Sequence, residues 1–282
     1  MSVANGSSSR AGAAPASQWI LIGLAAGYVT ILLVAPLGGI AASVIAGGLD
    51  TLTSTLTAAE VMHSFWLTAI ITVLTVGVTV VFGVVVAIVL TRDRFVGRRL
   101  LCAIVDLPLA VSPVIVGLMA VILFGRGGWF EPFFSAQGIQ VLFALPSMLL
   151  VTIFICIPFV IREIAPVLNE LGTQEEDAAR TLGASSIQAF WRVTLPNIRW
   201  ALLYGAALTG ARALGEIGAV LVVSGAIQGQ TETATLYVLR ALEERQDASA
   251  YVVAVSLAAI SIVLLIGIEV LKRRSVTAKE VA

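Results

Sequence analysis

Long apolar stretches, nearly free of charge, alternate with short charged segments along the chain. An α-helix needs roughly 20 residues to cross the hydrocarbon core of a bilayer. Six apolar stretches are of about that length or longer, and they cover residues 19–48, 65–90, 100–124, 141–161, 200–225 and 250–271. The pattern predicts an all-α polytopic membrane protein whose six transmembrane helices occupy residues 19–272, between a disordered tail at 1–18 and a short tail at 273–282.

The composition agrees with this prediction. Of the 282 residues, 59% are hydrophobic and only 12% are charged, whereas soluble domains carry about 25% charged residues. The seventeen Lys and Arg are balanced by seventeen Asp and Glu, so the chain lacks the cationic surplus that nucleic-acid binding requires. A single histidine and two cysteines inside apolar stretches give no basis for a metal site or a disulfide framework.

The cations are distributed unevenly between the segments that join the six stretches. Arg126, Arg240 and Arg245 fall on one side, Arg212 falls within the fifth stretch, and the other thirteen fall on the opposite side with both termini. Lys and Arg are retained on the cytoplasmic side of a membrane protein. Both termini are therefore predicted to be cytoplasmic.

The segment between the fourth and fifth stretches, TQEEDAARTLGASSIQAFWRVTLPNI at 173–198, has the local signals of two short helices. Thr173 and Glu176 are spaced as a capping box, and the acidic residues of the first turn favour the positive end of a helix dipole. Gly183 is suited to the left-handed conformation that ends such a helix. These signals predict a first helix that begins after Thr173 and ends near Gly183.

A second helix is predicted to follow at once. Ser185 and Gln188 form another capping-box pattern, and Leu195-Pro196 is expected to end the helix, because the residue before a proline is disfavoured in the helical region. The resulting cytoplasmic helix-turn-helix has two possible roles. It is either an amphipathic connector that rests on lipid headgroups or a docking surface for another protein.

The spacing within this segment resembles the EAA loop of ABC-importer permeases. Asp177-Ala178-Ala179, then Gly183 after three residues, then Val193-Thr194-Leu195-Pro196 follow the family pattern, with Asp177 in place of the usual Glu and Val193 in place of Ile. The resemblance implies a coupling helix that docks onto a separate ATP-hydrolysing subunit. The residues to which it assigns this coupling are Glu176, Asp177, Ala178, Ala179, Gly183, Leu195 and Pro196.

Other segments are similar to the sulfate/thiosulfate permeases within that family, and most similar to their W-type subunit. They are DLP at 106–108, SPV at 112–114, FVIRE at 159–163, ALGEIGAV at 213–220, VSG at 223–225 and GQT at 229–231. The resemblance implies the type I importer (MetI-like) fold over about 60–271 and a location in the plasma (inner) membrane. Molybdate permeases carry a related Gly-Glu-x-Gly-Ala segment, so a molybdate or tungstate importer is the alternative.

The same resemblance implies the partners. They are ATP-hydrolysing subunits, a second homologous permease and an extracytoplasmic sulfate-binding protein. A phosphate-binding P-loop needs Gly-Lys-Ser/Thr, and the only lysines, Lys272 and Lys279, follow Leu271 and Ala278. The chain is therefore predicted to be no enzyme, with no catalytic residue, metal or cofactor of its own, while ATP and Mg are used by the partner ATPase.

Ionisable residues within the membrane are costly and often functional. Arg212 and Glu216 lie one helical turn apart, so they either line the translocation path, together with Ser224, or form an ion pair that stabilises packing. Asp106 is expected to be hydrated or to pair with Arg98 or Arg99. An ion-coupled secondary transporter that uses Asp106 or Glu216 is the second alternative, although the sequence has no repeated half to support it.

Overall fold

The computed structural model describes the backbone of residues 15–280 and the side chains of residues 19–270 except Leu33. Most of the predicted N-terminal tail thus lies outside the described residues. Within the described part, all regular secondary structure is helical.

The helices of the first half are α1 (Pro15–Val29), α2 (Ala35–Ala46), α3 (Gly48–Thr57), α4 (Ala59–Arg92), α5 (Arg98–Ala110), α6 (Pro113–Phe124) and α7 (Glu131–Ser135). Those of the second half are α8 (Leu145–Leu171), α9 (Gln174–Thr181), α10 (Ser186–Ala189), α11 (Leu195–Leu214), α12 (Gly218–Ser224), α13 (Ala234–Glu243) and α14 (Asp247–Glu280). Short π-helical turns, Thr30–Val34 and Phe190–Thr194, join α1 to α2 and α10 to α11.

The six predicted spans correspond to four continuous helices and two bent pairs. The continuous ones are Trp19–Ala46, Ala59–Arg92, Leu145–Leu171 and Asp247–Val270. In the bent pairs, α5 meets α6 at 112°, and the helix that ends at Leu214 meets α12 at 55°. The architecture is therefore a helical bundle in which the third and fifth spans are broken.

The first span lies outside the core of the bundle. None of the most apolar part of Trp19–Ala46 is buried, and α2 and α3 pack against α14. A helix that is apolar on all sides is stable in this exposed position only if its surroundings are apolar as well. The surface of the first span is therefore suited to contact with lipid or with another membrane subunit.

The core consists of α4, α8 and α11, which pack closely through glycines. A Cβ on Gly83 of α4 would lie 2.7 Å from Cγ1 of Val160 on α8, and one on Gly205 of α11 would lie 3.1 Å from Cα of the same valine. Small residues allow membrane helices to approach each other closely and to gain van der Waals contact. Val160, which is fully buried, therefore packs between the glycines of two neighbouring helices.

The break in the third span follows from local sequence. Val111 and Ser112 have ψ values of 137° and 136°, and the extended conformation of Ser112 is expected for the residue before a proline that begins a new helix. Asp106 in α5 accepts hydrogen bonds from Arg162 of α8 at 2.9 and 3.1 Å. Of the two expectations for Asp106, hydration agrees with a side chain that is 51% exposed, whereas pairing with Arg98 or Arg99 was wrong, because α5 packs against α8 and brings Asp106 to Arg162.

Candidate functional site

The segment 173–198 begins with an ion pair to a distant helix. Oε1 of Glu176 lies 2.9 Å from Nη2 of Arg92, the last residue of α4, and also accepts a hydrogen bond from Thr194 at 2.9 Å. Thr173 precedes α9 as predicted, but its side chain makes no capping hydrogen bond. The predicted capping box at Thr173 was wrong, because Glu176 turns away from the helix end to a charged partner that binds it more strongly.

Arg92 connects this segment to a second core helix. Its Nη1 donates to the carbonyl oxygen of Leu168, in the last turn of α8, at 3.1 Å. The side chains of Arg92 and Glu176 are only 14% and 15% exposed, so solvent screens the pair weakly. A further hydrogen bond of 2.5 Å joins Asn197 to Glu175. Helix α9 is therefore tied to the ends of α4 and α8 and to the start of α11.

The turn between α9 and α10 has the predicted form. Gly183 has a φ of +90°, and the N–H groups of Gly183 and Ala184 donate to the carbonyls of Arg180 and Ala179 at 2.9 and 3.0 Å. This is the Schellman pattern that ends an α-helix. The capping box of Ser185 with Gln188 is confirmed.

The predicted end of the second helix at Leu195-Pro196 was wrong. Leu195 is helical, with φ −63° and ψ −44°, and its N–H donates to the carbonyl of Phe190, five residues earlier. The wider π turn loosens the backbone just where Pro196 cannot donate an N–H, so the chain continues into α11. Helix α10 is consequently joined to a core helix without a break in the helical backbone.

An apolar surface is exposed on this segment. The side chains of Leu182, Ile187 and Trp191 are 89%, 72% and 62% exposed. Ala178 and Gly183, two small residues of the same segment, are exposed as well. We call Leu182, Ile187 and Trp191 the coupling-loop patch. An exposed apolar group of this kind is typical of a protein-interaction site.

The predicted intramembrane residues lie at the break between α11 and α12. Nη1 of Arg212 is 2.7 Å from Oε2 of Glu216, and the two side chains are 31% and 2% exposed. The other carboxylate oxygen accepts a hydrogen bond from the backbone N–H of Ala219 at 2.9 Å. Glu216 therefore neutralises Arg212 and at the same time holds the first turn of α12 in place.

The surroundings of Glu216 are polar and tightly closed. Its carbonyl accepts a hydrogen bond from Thr235 at 2.9 Å, and Thr68, Thr152 and Thr233 line the same small cavity. The cavity volume is about 10 Å³, which is close to the minimum for one water molecule. A tetrahedral oxyanion would need these helices to separate.

The structure places the third candidate, Ser224, at the end of α12. Its hydroxyl accepts a hydrogen bond from the N–H of Ala226 at 3.0 Å, and its carbonyl accepts one from Thr231 at 2.6 Å. Ser224 is fully buried. In this conformation the hydroxyl thus organises the loop that follows.

The opposite end of α4 carries a second charged cluster. Arg240 lies 2.7 Å from Glu232, which is 1% exposed, 3.1 Å from Glu60 and 3.2 Å from Glu244. The hydrogen bond to Glu232 is the main cause that raises the pKa of the Arg240 guanidinium above its usual range. Arg240 stays charged, and the three carboxylates make this cluster negative overall.

Sequence reasoning missed several residues of these sites. In the sequence, Arg92 indicates only the membrane topology, because it is a cation that follows a long apolar stretch. Thr194 and Thr235 carried no signal, since a single threonine in an apolar segment is common. Their roles depend on contacts with Glu176 and Glu216 that only the packed bundle creates.

The comparisons with known proteins agree with one another. Residues 79–276 match the family described as the binding-protein-dependent transport system inner membrane component. The chain is 43% identical over 258 residues to the sulfate transport system permease protein CysW of Synechocystis sp., with 92% of this chain and 94% of that protein covered. To the protein of the same description from Escherichia coli (strain K12) it is 45% identical over 214 residues, with 76% and 74% covered.

A similar fold is found among solved structures. A chain of a bacterial alginate ABC transporter, crystallised in complex with its alginate pentasaccharide-bound periplasmic protein, superimposes with a TM-score of 0.75 at 18% identity. The match covers 92% of this chain and 96% of that one. At this identity the superposition establishes the shared fold alone.

Proposed function

Because this chain belongs to the inner membrane components of binding-protein-dependent transport systems, and within them to the sulfate permeases, we propose that it forms half of the path by which sulfate or thiosulfate enters the cell. The chain is a permease subunit of an ABC importer. The other half of the path is a second, homologous permease, and the substrate is delivered by an extracytoplasmic sulfate-binding protein.

The observation that carries this proposal is that the segment bearing the coupling-loop patch is bound to the core through Glu176. Leu182, Ile187 and Trp191 are exposed for docking, while Glu176, on the helix beside them, is held by Arg92 and Thr194. A docked ATPase that moves this patch therefore moves the ends of α4 and α11 with it. A connector that only rested on lipid headgroups would not need such a link to the core.

The exposed coupling-loop patch also supports ATP hydrolysis by a partner as the energy source of transport. ATP is hydrolysed, with Mg, by the partner subunits that bind the coupling-loop patch, on the side where both termini lie. Arg212 and Glu216 lie at the break in the fifth span, where a change in helix packing would open or close the path. Both sulfate and thiosulfate are divalent anions, and Arg212 is the cation within the fifth span that could meet them when Glu216 releases it.

The proposal is tested by reconstituting this chain with its ATPase, the second permease and the binding protein in proteoliposomes. We expect uptake of labelled sulfate to require ATP, to be competed by thiosulfate, and to continue when a protonophore is present. Uptake that ignores ATP and collapses with the protonophore would contradict the importer mechanism. Stronger competition by molybdate or tungstate than by thiosulfate would contradict the substrate assignment.

A further inference from the structure

Helix α5 has an exposed apolar stripe. Leu100, Ile104 and Leu107 are 65%, 52% and 40% exposed, and their spacing of four and three residues places them on one face of the helix. The opposite face is covered, because Val105 packs in the cluster that contains Leu90 and Leu168. Half of α5 therefore belongs to the core of the bundle and half faces outward.

The position of α5 along the bundle corresponds to the edge of the bilayer. Asp106 pairs with Arg162, which lies where the apolar part of α8 gives way to a segment with Arg162, Glu163 and Glu170. The axis turns by 112° into α6, and α6 runs beside α8. If α6 crosses the bilayer, α5 lies close to the plane of the membrane, at the depth of the headgroups.

A cationic surface adjoins the apolar stripe. Arg94, Arg98 and Arg99 are all exposed and surround an open cavity of about 520 Å³ that Phe95 and Val96 also line. Asp93 is the one acidic neighbour between residues 92 and 105, so the segment remains positive overall. Exposed Phe95 and Val96 beside arginines are suited to contact with a lipid bilayer, which has an apolar interior and anionic headgroups at its surface.

From these observations we infer that residues 93–99 and the exposed stripe of α5 form a binding site for anionic phospholipids. The arginines bind headgroup phosphates, because a planar guanidinium forms paired hydrogen bonds with phosphate oxygens. Leu100, Ile104 and Leu107 insert among the acyl chains below. Arg92 immediately precedes this segment and is bound to Glu176, so this lipid site lies in the leaflet next to the coupling loop.

The site has a consequence for coupling that does not depend on which anion is transported. Bound anionic lipid would hold the segment that links α4 to α5 at the membrane surface, next to the Arg92 and Glu176 ion pair. Lipid composition would then affect how well the ion pair is positioned.

The test uses the purified importer complex, delipidated in detergent and titrated with phosphatidylglycerol or phosphatidylcholine. Native mass spectrometry counts the bound lipids, and no transport assay is needed, so the result is independent of the substrate assignment. We expect phosphatidylglycerol to be preferred. The R98Q/R99Q variant should bind it roughly 25-fold more weakly, since each basic residue near an anionic surface contributes about fivefold in binding and the two contributions multiply.

Two further variants control for folding and for overall charge. R98K/R99K keeps the charge and should retain most of the preference, whereas R126Q/R245Q removes two arginines on the other side of the predicted membrane topology and should leave binding unchanged. Equal loss in R126Q/R245Q, or equal binding of both lipids by the native complex, would overturn the inference. Displacement of phosphatidylglycerol by millimolar inorganic phosphate would indicate a soluble-anion site, and loss of the second permease from R98Q/R99Q would indicate a subunit interface; either result overturns it as well.

Discussion

Arg92 and Glu176 lie 84 residues apart in the sequence, yet their side chains meet at 2.9 Å in a partly buried ion pair. Thr194 donates a further hydrogen bond to Glu176, and Arg92 donates one to the carbonyl of Leu168. The pair joins the end of the longest core helix to the first helix of the coupling loop. The ion pair therefore links α9 to the ends of α4 and α8.

Replacing Arg92 by Gln should therefore uncouple ATP hydrolysis from transport. Loss of one partner leaves the other charge uncompensated, at a cost of about 3–5 kcal/mol in buried pairs, and the coupling loop should become mobile. We expect more ATP to be hydrolysed per sulfate imported. The increase should be roughly tenfold if 1.4 kcal/mol of the free energy of the ion pair contributes to coupling. The measurement is the ratio of ATP hydrolysis to sulfate uptake in proteoliposomes. The R92E/E176R double variant restores an ion pair, so its ratio should return part of the way to the native value.

The exposed pair Arg162 and Asp106 provides a matched control for stability. Its side chains are 58% and 51% exposed, and exposed pairs contribute about 0–1 kcal/mol. R162Q should lower the melting temperature of the complex less than R92Q does. An equal effect of the two substitutions on melting would contradict the importance of burial.

Gly183 should tolerate Asn better than Ala. The φ of +90° is unfavourable for residues with a Cβ, by about 1–2 kcal/mol, and Asn is the residue that most often replaces Gly in such a cap. A Cβ at this position would meet no atom within 4 Å, so the effect is conformational and not steric. Co-purification with the ATPase should fall in the order Gly, Asn, Ala; equal recovery of the Ala variant would refute the conformational explanation.

A double substitution separates the two roles of Arg212 and Glu216. Either R212Q or E216Q leaves one group without its charged partner, so both single variants should give less assembled complex. R212Q/E216Q removes both charges and should restore assembly. If Arg212 also meets the anion, this double variant should still import sulfate at least about tenfold more slowly, as expected for loss of one charged hydrogen bond. Normal uptake by the assembled double variant would leave only the packing role.

Two glycines of α4 should respond oppositely to alanine. At Gly83 a Cβ would lie 2.8 Å from Cβ of Val160, whereas at Gly77 nothing lies within 4 Å. Overpacking costs about 1–3 kcal/mol, while alanine in an open helical position gains up to about 1 kcal/mol over glycine. G83A should lower the melting temperature of the complex and G77A should maintain or raise it. A fall of the same size for G77A would show that close helix packing is not the cause.

Glu232 should be the essential carboxylate of the charged cluster around Arg240. It is 1% exposed and 2.7 Å from Arg240, so E232Q would weaken a charge-assisted hydrogen bond in a buried position, by about 1.5–3 kcal/mol. Glu243 is an exposed neighbour, and E243Q serves as the control. Thermal unfolding should distinguish the two, with E232Q less stable; similar melting curves would mean that Glu60 and Glu244 can take over from Glu232.

Local signals in the sequence were reliable where neither a distant partner nor a change in backbone geometry competed with them. The capping box of Ser185 and Gln188 and the left-handed Gly183 were predicted correctly, because both involve groups within a few residues of each other. The prediction for Thr173 failed because Glu176 found a stronger partner in Arg92. The prediction for Pro196 failed because a π turn in the preceding residues accommodates the proline.

The sequence by itself determined that the chain is an all-helical membrane permease, since the number of apolar stretches and the spacing of the EAA-like loop are properties of the chain alone. The tertiary structure decided which charged groups meet, where the third span breaks away from the bundle, and that Glu216 is enclosed between helices. The physical reason is that ion pairing and burial depend on distances between residues far apart in sequence. Arg92 and Glu176 come together only after α4 and α8 have packed.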